Sequence, residues 1–209
     1  IKNFDVSSYK IDYILLTHGH FDHISNVAEY KELTGAKVVI SKAEEDLIND
    51  GSLNLSSRFM KAHKLKSFEA DILCSEGDEI PFAGGAIKVL DTPGHTKGGV
   101  CYIFENNIFS GDTLFKGTYG ATSFPTGSEA ELENSLLKLA NLEGDFNVYP
   151  GHSEVTKLSD EREAIIKNNF YAISNYYNEI RSELSKYILP DMNIELPMLV
   201  IPDNIKLQD

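Results

Sequence analysis

Three of the chain's six histidines stand within seven residues, together with an aspartate. This stretch, residues 17–23, reads THGHFDH. Imidazole nitrogens and carboxylate oxygens are common ligands of zinc and of other first-row metals. Because His18 and His20 are two positions apart, an extended segment would direct both side chains to the same face. The spacing favours a metal site over the simpler explanation of a polar loop.

Three further candidate ligands follow apolar segments elsewhere in the chain. His95 comes after IKVLDTPG, Asp112 after NIFSG and His152 after NVYPG. Taken singly, each is compatible with an ordinary turn or capping residue. Together with the first stretch, they place five of the six histidines just beyond predicted strands, where layered α/β folds build their sites. Packing alone does not explain this pattern, since imidazoles bury poorly without partners.

These segments supply seven candidate ligands: His18, His20, Asp22, His23, His95, Asp112 and His152. A single zinc ion takes three or four ligands, so the set is too large for one ion. It suits two adjacent ions with three terminal ligands each, which share one carboxylate and a water, as in two-metal hydrolytic sites. The remaining histidine, His63, lies in the lysine-rich segment KAHKLK, and we assign it no role.

Short apolar segments alternate with helix-like segments in the first half of the chain, which predicts a layered α/β fold. We predict strands at residues 13–16, 37–40, 85–90, 100–104, 107–110 and 146–149. We predict helices at residues 24–33, 42–49 and, capped by Ser128, to about 142, with an irregular connection over 51–66. Glu105 and Asn106 are predicted to form a tight hairpin turn, and the glycine-rich segment that follows Asp112 is predicted to be irregular.

After Ser159, apolar and aromatic residues recur every three or four positions over about six turns, as expected for an amphipathic helix. They are Ile166, Phe170, Ile173, Tyr177, Ile180, Leu184 and Tyr187. We interpret this stripe as a packing face, either against the domain or in a homodimer. We therefore divide the chain into a catalytic domain (1–158) and a C-terminal part (159–209), which holds this helix and, from Pro190, an extended tail.

The overall composition narrows the class of protein. The formal net charge of −13 disfavours nucleic acid as a partner, because such binding depends on lysine and arginine. No apolar run approaches the roughly 18 residues that a membrane span requires, and no basic-then-apolar leader opens the chain. Cys74 and Cys101 are too far apart for a thiolate metal site, and we predict both as buried core or strand residues. We expect a cytoplasmic protein in a reducing compartment.

Four motifs together resemble the metallo-β-lactamase superfamily, in the branch of glyoxalase II (hydroxyacylglutathione hydrolase). They are THGHFDH at 17–23, TPGHT at 92–96, SGDTLF at 110–115 and YPGH at 149–152. The resemblance implies a four-layer αβ/βα sandwich with its site at one edge of the two sheets. It implies one metal held by His18, His20 and His95. It implies a second metal held by Asp22, His23 and His152, with Asp112 bridging the two.

The sequence departs from that family in three places. Members usually begin with a strand pair that ends in an Asp-Pro-Gly turn. Only a short segment precedes residue 11 here, so we predict a sandwich that lacks this N-terminal pair. The helix after Ser159 is predicted as a C-terminal helical extension of the sandwich. Small members carry Gly-Arg-x-Asp after the bridging aspartate, where this chain has Gly120-Ala121-Thr122-Ser123. The C-terminal helix shows no clear counterpart of the basic residues with which glyoxalase II binds glutathione.

The leading hypothesis is a dinuclear metal-dependent hydrolase of a small-molecule thioester or ester. A hydroxide that bridges the metals would attack the carbonyl, and Asp22 would both bind a metal and orient the nucleophile. The two divalent ions are expected to be zinc, and the ligands also suit iron or manganese. One alternative is a mononuclear iron oxidoreductase of the persulfide dioxygenase type, which would use His18, His95 and Asp112. Another is a non-catalytic metal-binding or interaction protein.

Overall fold

The computed structural model describes residues 8–60 and 65–185, without the side chains of 168–178, 181, 184 and 185 in the last helix. The strands of the described residues are β1 (Tyr13–Leu15), β2 (Lys37–Ser41), β3 (Ile72–Cys74), β4 (Glu79–Phe82), β5 (Gly85–Asp91), β6 (Val100–Phe104), β7 (Asn107–Gly111), β8 (Asn147–Pro150) and β9 (Thr156–Lys157). The α-helices are α1 (Phe21–Ile24), α2 (Val27–Thr34), α3 (Ser56–Phe59), α4 (Glu129–Ala140) and α5 (Leu158–Ser185).

The strands form two sheets. The first has the order β1-β2-β3 and is parallel throughout, with Ile14 opposite Val38 and Val39 opposite Ile72. The second has the order β4 to β9 and is antiparallel except for the parallel pair β7 and β8. Among the described residues, β1 therefore lies at one edge of the first sheet.

Three apolar clusters separate four layers. Side chains alternate between the two faces of a strand, so Val38 and Ile40 pack towards α2 while Val39 packs towards the second sheet. Between the sheets, Val39 lies in one cluster with Val89 and Tyr102. On the far side of the second sheet, Ile108 packs with residues of α4 and α5. The layer order is helix, sheet, sheet, helix, which confirms the expected αβ/βα sandwich.

The predicted strands and the hairpin at Glu105-Asn106 are confirmed to within one or two residues, and the predicted Ser128 cap accepts a hydrogen bond from the Glu131 amide. Cys74 and Cys101 are buried in strands, as predicted. Two helix predictions were wrong in extent. The helix predicted over 24–33 is two helices that break at Ser25 and Asn26, residue types that compete with the helix for hydrogen bonds. The helix predicted over 42–49 is a 3₁₀ turn, Lys42–Glu44, followed by turns.

Several elements lie outside the predicted set. Strands β3, β4 and β9 have only two to four residues each, too few for a visible period, and α3 lies within the connection predicted as irregular. Helix α5 begins directly after β9, and its first turns pack on the second sheet through Leu158 and Ile165. His63 and the tail from Pro190 lie outside the described residues, and so do most side chains of the aromatic stripe. The domain division at 158/159 and the homodimer stay predictions.

Two cross-sheet hydrogen bonds join the sheets next to the predicted site. The buried hydroxyl of Tyr102, on β6, donates to the carbonyl of Leu16 over 2.9 Å. The amide of Val100 donates to the carbonyl of Thr17 over 2.9 Å. The end of β1, where the first candidate ligands begin, is therefore fixed against the second sheet. None of the helices in the described part of the chain has the length and apolarity to span a membrane.

Candidate metal centre

The seven candidate ligands converge at one edge of the sandwich. His18 and His20 follow β1, and His95 follows β5. Asp112 comes directly after β7, and His152 stands two residues after β8. The remaining two, Asp22 and His23, lie in the first turn of α1. The prediction that these residues follow strand ends is confirmed, and because both sheets present those ends to the same edge, one cluster results.

The first part of the cluster is a buried group of three histidines. Ligand atoms of His18, His20 and His95 all lie within 4.8 Å of one another. The three residues are exposed to only 2, 3 and 5%, respectively. The Nδ1 atom of His20 lies 2.9 Å from Nε2 of His95, and their rings stand nearly perpendicular. This is the set that the resemblance assigns to one metal.

The second part, formed by Asp22, His23 and His152, opens to solvent. Their ligand atoms also lie within 4.8 Å of one another. The Nε2 atom of His152 is 3.2 Å from Oδ2 of Asp22, and Nε2 of His23 is 3.7 Å from that oxygen. The side chains of Asp22 and His152 are 38 and 55% exposed. A substrate therefore has access to the cluster from this side.

Asp112 lies between the two groups. Its Oδ1 is 3.3 Å from Nε2 of His23, and its Oδ2 is 3.4 Å from Nε2 of His95 and 3.6 Å from Nε2 of His152. Its side chain is 9% exposed. One buried carboxylate thus faces ligand atoms of both groups, which is the position that the resemblance assigns to the bridging ligand.

One buried imidazole nitrogen of the cluster lacks the partner that such atoms normally have. No hydrogen bond from the described residues reaches Nε2 of His18. Leaving a buried polar atom unpaired is costly, and a cation bound to it would remove that cost. Five imidazoles and two carboxylates are a donor set suited to two zinc, iron or manganese ions. The cluster therefore fits two divalent ions, and ligation by each residue stays a prediction.

Burial disfavours the charged form of the three histidines of the buried group. Burial and, to a lesser extent, the neighbouring histidines lower the pKa of His20 to about 4 and that of His18 well below the usual value. Burial also lowers the pKa of His95, although the charge of Asp112 opposes the shift. All three imidazoles are neutral at pH 7, and neutral imidazole is the form that binds metal.

The pair formed by His23 and Asp112 behaves differently. Burial is the largest single influence on each of them, and it disfavours both charges. The carboxylates of Asp112 and Asp22 outweigh burial at His23 and raise its pKa. In the same way, His23 and the other nearby histidines outweigh burial at Asp112 and lower the pKa of its carboxyl. The two shifts favour a positive charge on His23 and a negative charge on Asp112.

The orientation of His95 depends on a backbone carbonyl. Its Nδ1–H donates to the carbonyl oxygen of Ala121 over 2.7 Å, which leaves Nε2 free to face the cluster. Ala121 belongs to the segment in which the family pattern has Gly-Arg-x-Asp. The sequence carries no signal of this support, because a backbone carbonyl is the same in every residue.

Two aromatic side chains border the cluster, one at each of its two groups. The ring centroid of Phe124 lies 5.8 Å from that of His20 and 6.3 Å from that of His95. The ring of Phe115 lies 6.0 Å from that of His152. Both come from the glycine-rich segment after Asp112, which is irregular, as predicted. The sequence signal for them was the occurrence of aromatic residues in an otherwise small and polar loop.

Comparisons with known proteins identify the family of this chain. The sequence model of the metallo-beta-lactamase superfamily matches residues 2–152. Hydroxyacylglutathione hydrolase from Francisella philomiragia subsp. philomiragia is 29% identical over 190 residues, which make up 90% of this chain and 67% of that protein. Among solved structures, the BLEG-1 B3 metallo-beta-lactamase is 31% identical with a TM-score of 0.71, and TTHA1623 in a di-iron-bound form is 30% identical with a TM-score of 0.65. Both alignments cover 75% of this chain and 77% of the other. The chain belongs to the metallo-beta-lactamase superfamily of metal-dependent hydrolases.

Proposed function

We propose that the protein hydrolyses a small-molecule thioester or ester with two divalent metal ions. Zinc is our first choice for both ions, with iron or manganese as alternatives. The observation that carries the proposal is the position of Asp112, whose two oxygens face ligand atoms of both histidine groups at 3.3–3.6 Å. A single ion would leave one of these groups without a role.

The side chains around the site have different roles in the proposed reaction. Two divalent ions bound there would supply a hydroxide at neutral pH and polarise the substrate carbonyl. His18, His20 and His95 are buried and neutral, so they bind one ion away from solvent. Asp22 stands at the open side, with its Oδ2 3.2 Å from Nε2 of His152, where its carboxylate would accept a hydrogen bond from the attacking hydroxide and orient it.

The chemistry of the leaving group favours a thioester. A thiolate leaves without protonation by a strong acid, so hydrolysis needs only the nucleophile, the polarised carbonyl and a place for the acyl group. Phe124 and Phe115 offer apolar walls next to the buried and the exposed group, respectively. The name of the Francisella relative, which is similar over most of this chain, describes a thioester hydrolase and supports this choice.

The proposal is tested by elemental analysis together with turnover assays of the same preparation. We expect two metal ions per chain and hydrolysis of S-lactoylglutathione or of a simple aryl ester. Asp112→Ala should abolish turnover, whereas the control Asp46→Ala, an exposed residue paired with Lys97, should retain it. Two bound ions without hydrolysis of any thioester or ester would overturn the proposal. So would hydrolysis of a β-lactam alone, or oxygen uptake with a persulfide by a protein that holds one iron.

A further inference from the structure

A glutamate lies fully buried next to the metal centre without belonging to it. Glu44 ends the 3₁₀ turn Lys42–Glu44, which follows β2, and its exposed fraction is 0%. Burying a carboxylate is costly unless strong hydrogen bonds satisfy it. Burial raises the pKa of Glu44, while its hydrogen bonds and the charge of Lys97 oppose that shift. The residue therefore needs its bonds to remain in this position.

The two carboxylate oxygens of Glu44 bind two different loops. Oε2 accepts a hydrogen bond from the amide of Gly19 over 2.8 Å. Oε1 accepts one from the amide of Gly98, also over 2.8 Å. Gly19 stands between His18 and His20, and Gly98 stands three residues after His95. One side chain thus joins the loops that carry all three histidines of the buried group.

Both loops approach the turn at Glu44 so closely that only glycine fits. A Cβ atom on Gly19 would lie 2.7 Å from Cβ of Leu47. A Cβ atom on Gly98 would lie 2.7 Å from Cβ of Ala43 and 2.9 Å from Cγ of Glu44. The two amides are therefore held against the carboxylate by packing as well as by hydrogen bonding.

We propose that Glu44 is a positioning residue of the metal centre, which holds the loop of His18 and His20 at a fixed distance from the loop of His95. The hydrogen bonds of Glu44 act on the backbone beside each histidine, whereas the imidazoles themselves carry the predicted ligand atoms. This inference rests on the metal centre of the proposed function, but not on the choice of substrate. Supporting hydrogen bonds of this kind are worth roughly 10- to 100-fold in metal affinity at other sites.

Zinc binding by the full chain tests the inference directly. The metal-free protein is titrated with zinc in the presence of a chromophoric chelator, for the wild type, Glu44→Ala, Glu44→Gln and the control Glu45→Ala. Glu45 is adjacent in sequence and exposed, so its substitution should leave both affinities unchanged. Glu44→Ala should weaken the tighter of the two sites about 10- to 100-fold. The zinc affinity of Glu44→Gln should fall between those of the wild type and Glu44→Ala. Its amide keeps one acceptor oxygen but turns an N–H towards the second loop.

A second control separates positioning from general destabilisation. Val148→Ala removes methyl groups from the apolar cluster between the second sheet and helices α4 and α5. It should lower the melting temperature and leave the zinc affinity unchanged. If Glu44→Ala does not fold, Glu44→Gln carries the test, and the absorption spectrum of its cobalt-substituted form should differ from that of the wild type.

The possible failures are distinguishable. If the wild type binds two zinc ions and the folded Glu44 variants bind them with equal affinity, the inference is overturned while the proposed function stands. If the affinity loss of each Glu44 variant is matched by Val148→Ala at the same melting temperature, the effect is general and the inference is also overturned. If the wild type binds no zinc, iron or manganese, both fail together.

Discussion

The Nδ1 atom of His20 lies 2.9 Å from the Nε2 atom of His95, although the residues are 75 positions apart in the sequence. Both rings are buried, and His95 already donates its other nitrogen to the carbonyl of Ala121. Its Nε2 therefore has a lone pair directed into the cluster. Two histidine nitrogens from loops of different sheets thus meet in one buried place, as expected of ligands to a common ion.

Removing one histidine from each group should separate the two metals. We expect His95→Ala to lose the ion of the buried group and His152→Ala to lose the ion of the exposed group, so that each variant keeps about one ion per chain. Elemental analysis after extensive dialysis measures this directly. If each variant lost both ions or neither, the division into two groups would be wrong.

The metal-free protein should lose stability as the pH falls from 6.5 to 5. His18 and His20 have folded-state pKa values below the value of 6.5 for a free side chain, and that of His20 is about 4. In this range the unfolded chain takes up protons at both sites, while the folded chain does not. The free energy of unfolding should fall by up to about 1.4 kcal/mol per pH unit for each histidine.

The other titrating groups of the cluster do not cancel this slope. His23 has a raised pKa, so its contribution is fully present below pH 6.5 and is lost only as the pH rises through the folded value. Asp112 has a lowered pKa, so its contribution is lost only at more acidic pH. Glu44 has a raised pKa, so protonation of this one carboxylate opposes the loss of stability near the acidic end of the pH range. Urea unfolding of chelator-treated protein at several pH values measures the slope, and a flat profile would contradict the prediction.

Loss of the Tyr102 hydroxyl should weaken the junction between the sheets. Tyr102→Phe leaves the buried carbonyl of Leu16 without its donor, which should cost about 1–3 kcal/mol in the free energy of unfolding. The matched control is Tyr149→Phe, because that ring is 39% exposed on β8. Chemical denaturation measures the free energy of unfolding of both variants. Equal values for Tyr102→Phe and Tyr149→Phe would show that the cross-sheet hydrogen bond contributes little to stability.

The aromatic walls should act on substrate binding more than on the chemical step. If the acyl group packs on Phe124, truncation to alanine should raise KM by roughly 5- to 30-fold, which corresponds to about 1–2 kcal/mol of apolar contact, with a smaller change in kcat. Phe109→Ala serves as the control, since that exposed ring stacks on Tyr149 and not on the cluster. An unchanged KM for Phe124→Ala would place the acyl group elsewhere.

The sequence predicted the ligand cluster because its signal is local. Each ligand follows a short apolar strand, and strand ends of a layered fold meet at one edge whatever the details of packing. It did not predict the role of Glu44, which stands in a polar segment (SKAEED) that resembles a solvent-exposed helix. Its burial depends on two loops that arrive from distant parts of the chain.

The carbonyl of Ala121 has a consequence for how this protein changes over evolution. Because His95 is oriented by main-chain oxygen, the side chain at position 121 is released from that duty. Side chains in the segment around Ala121 can then change while the imidazole of His95 keeps its orientation. Sequence change in this segment is thereby uncoupled from the geometry of the candidate metal centre. The segment is therefore a suitable place to engineer a new substrate specificity.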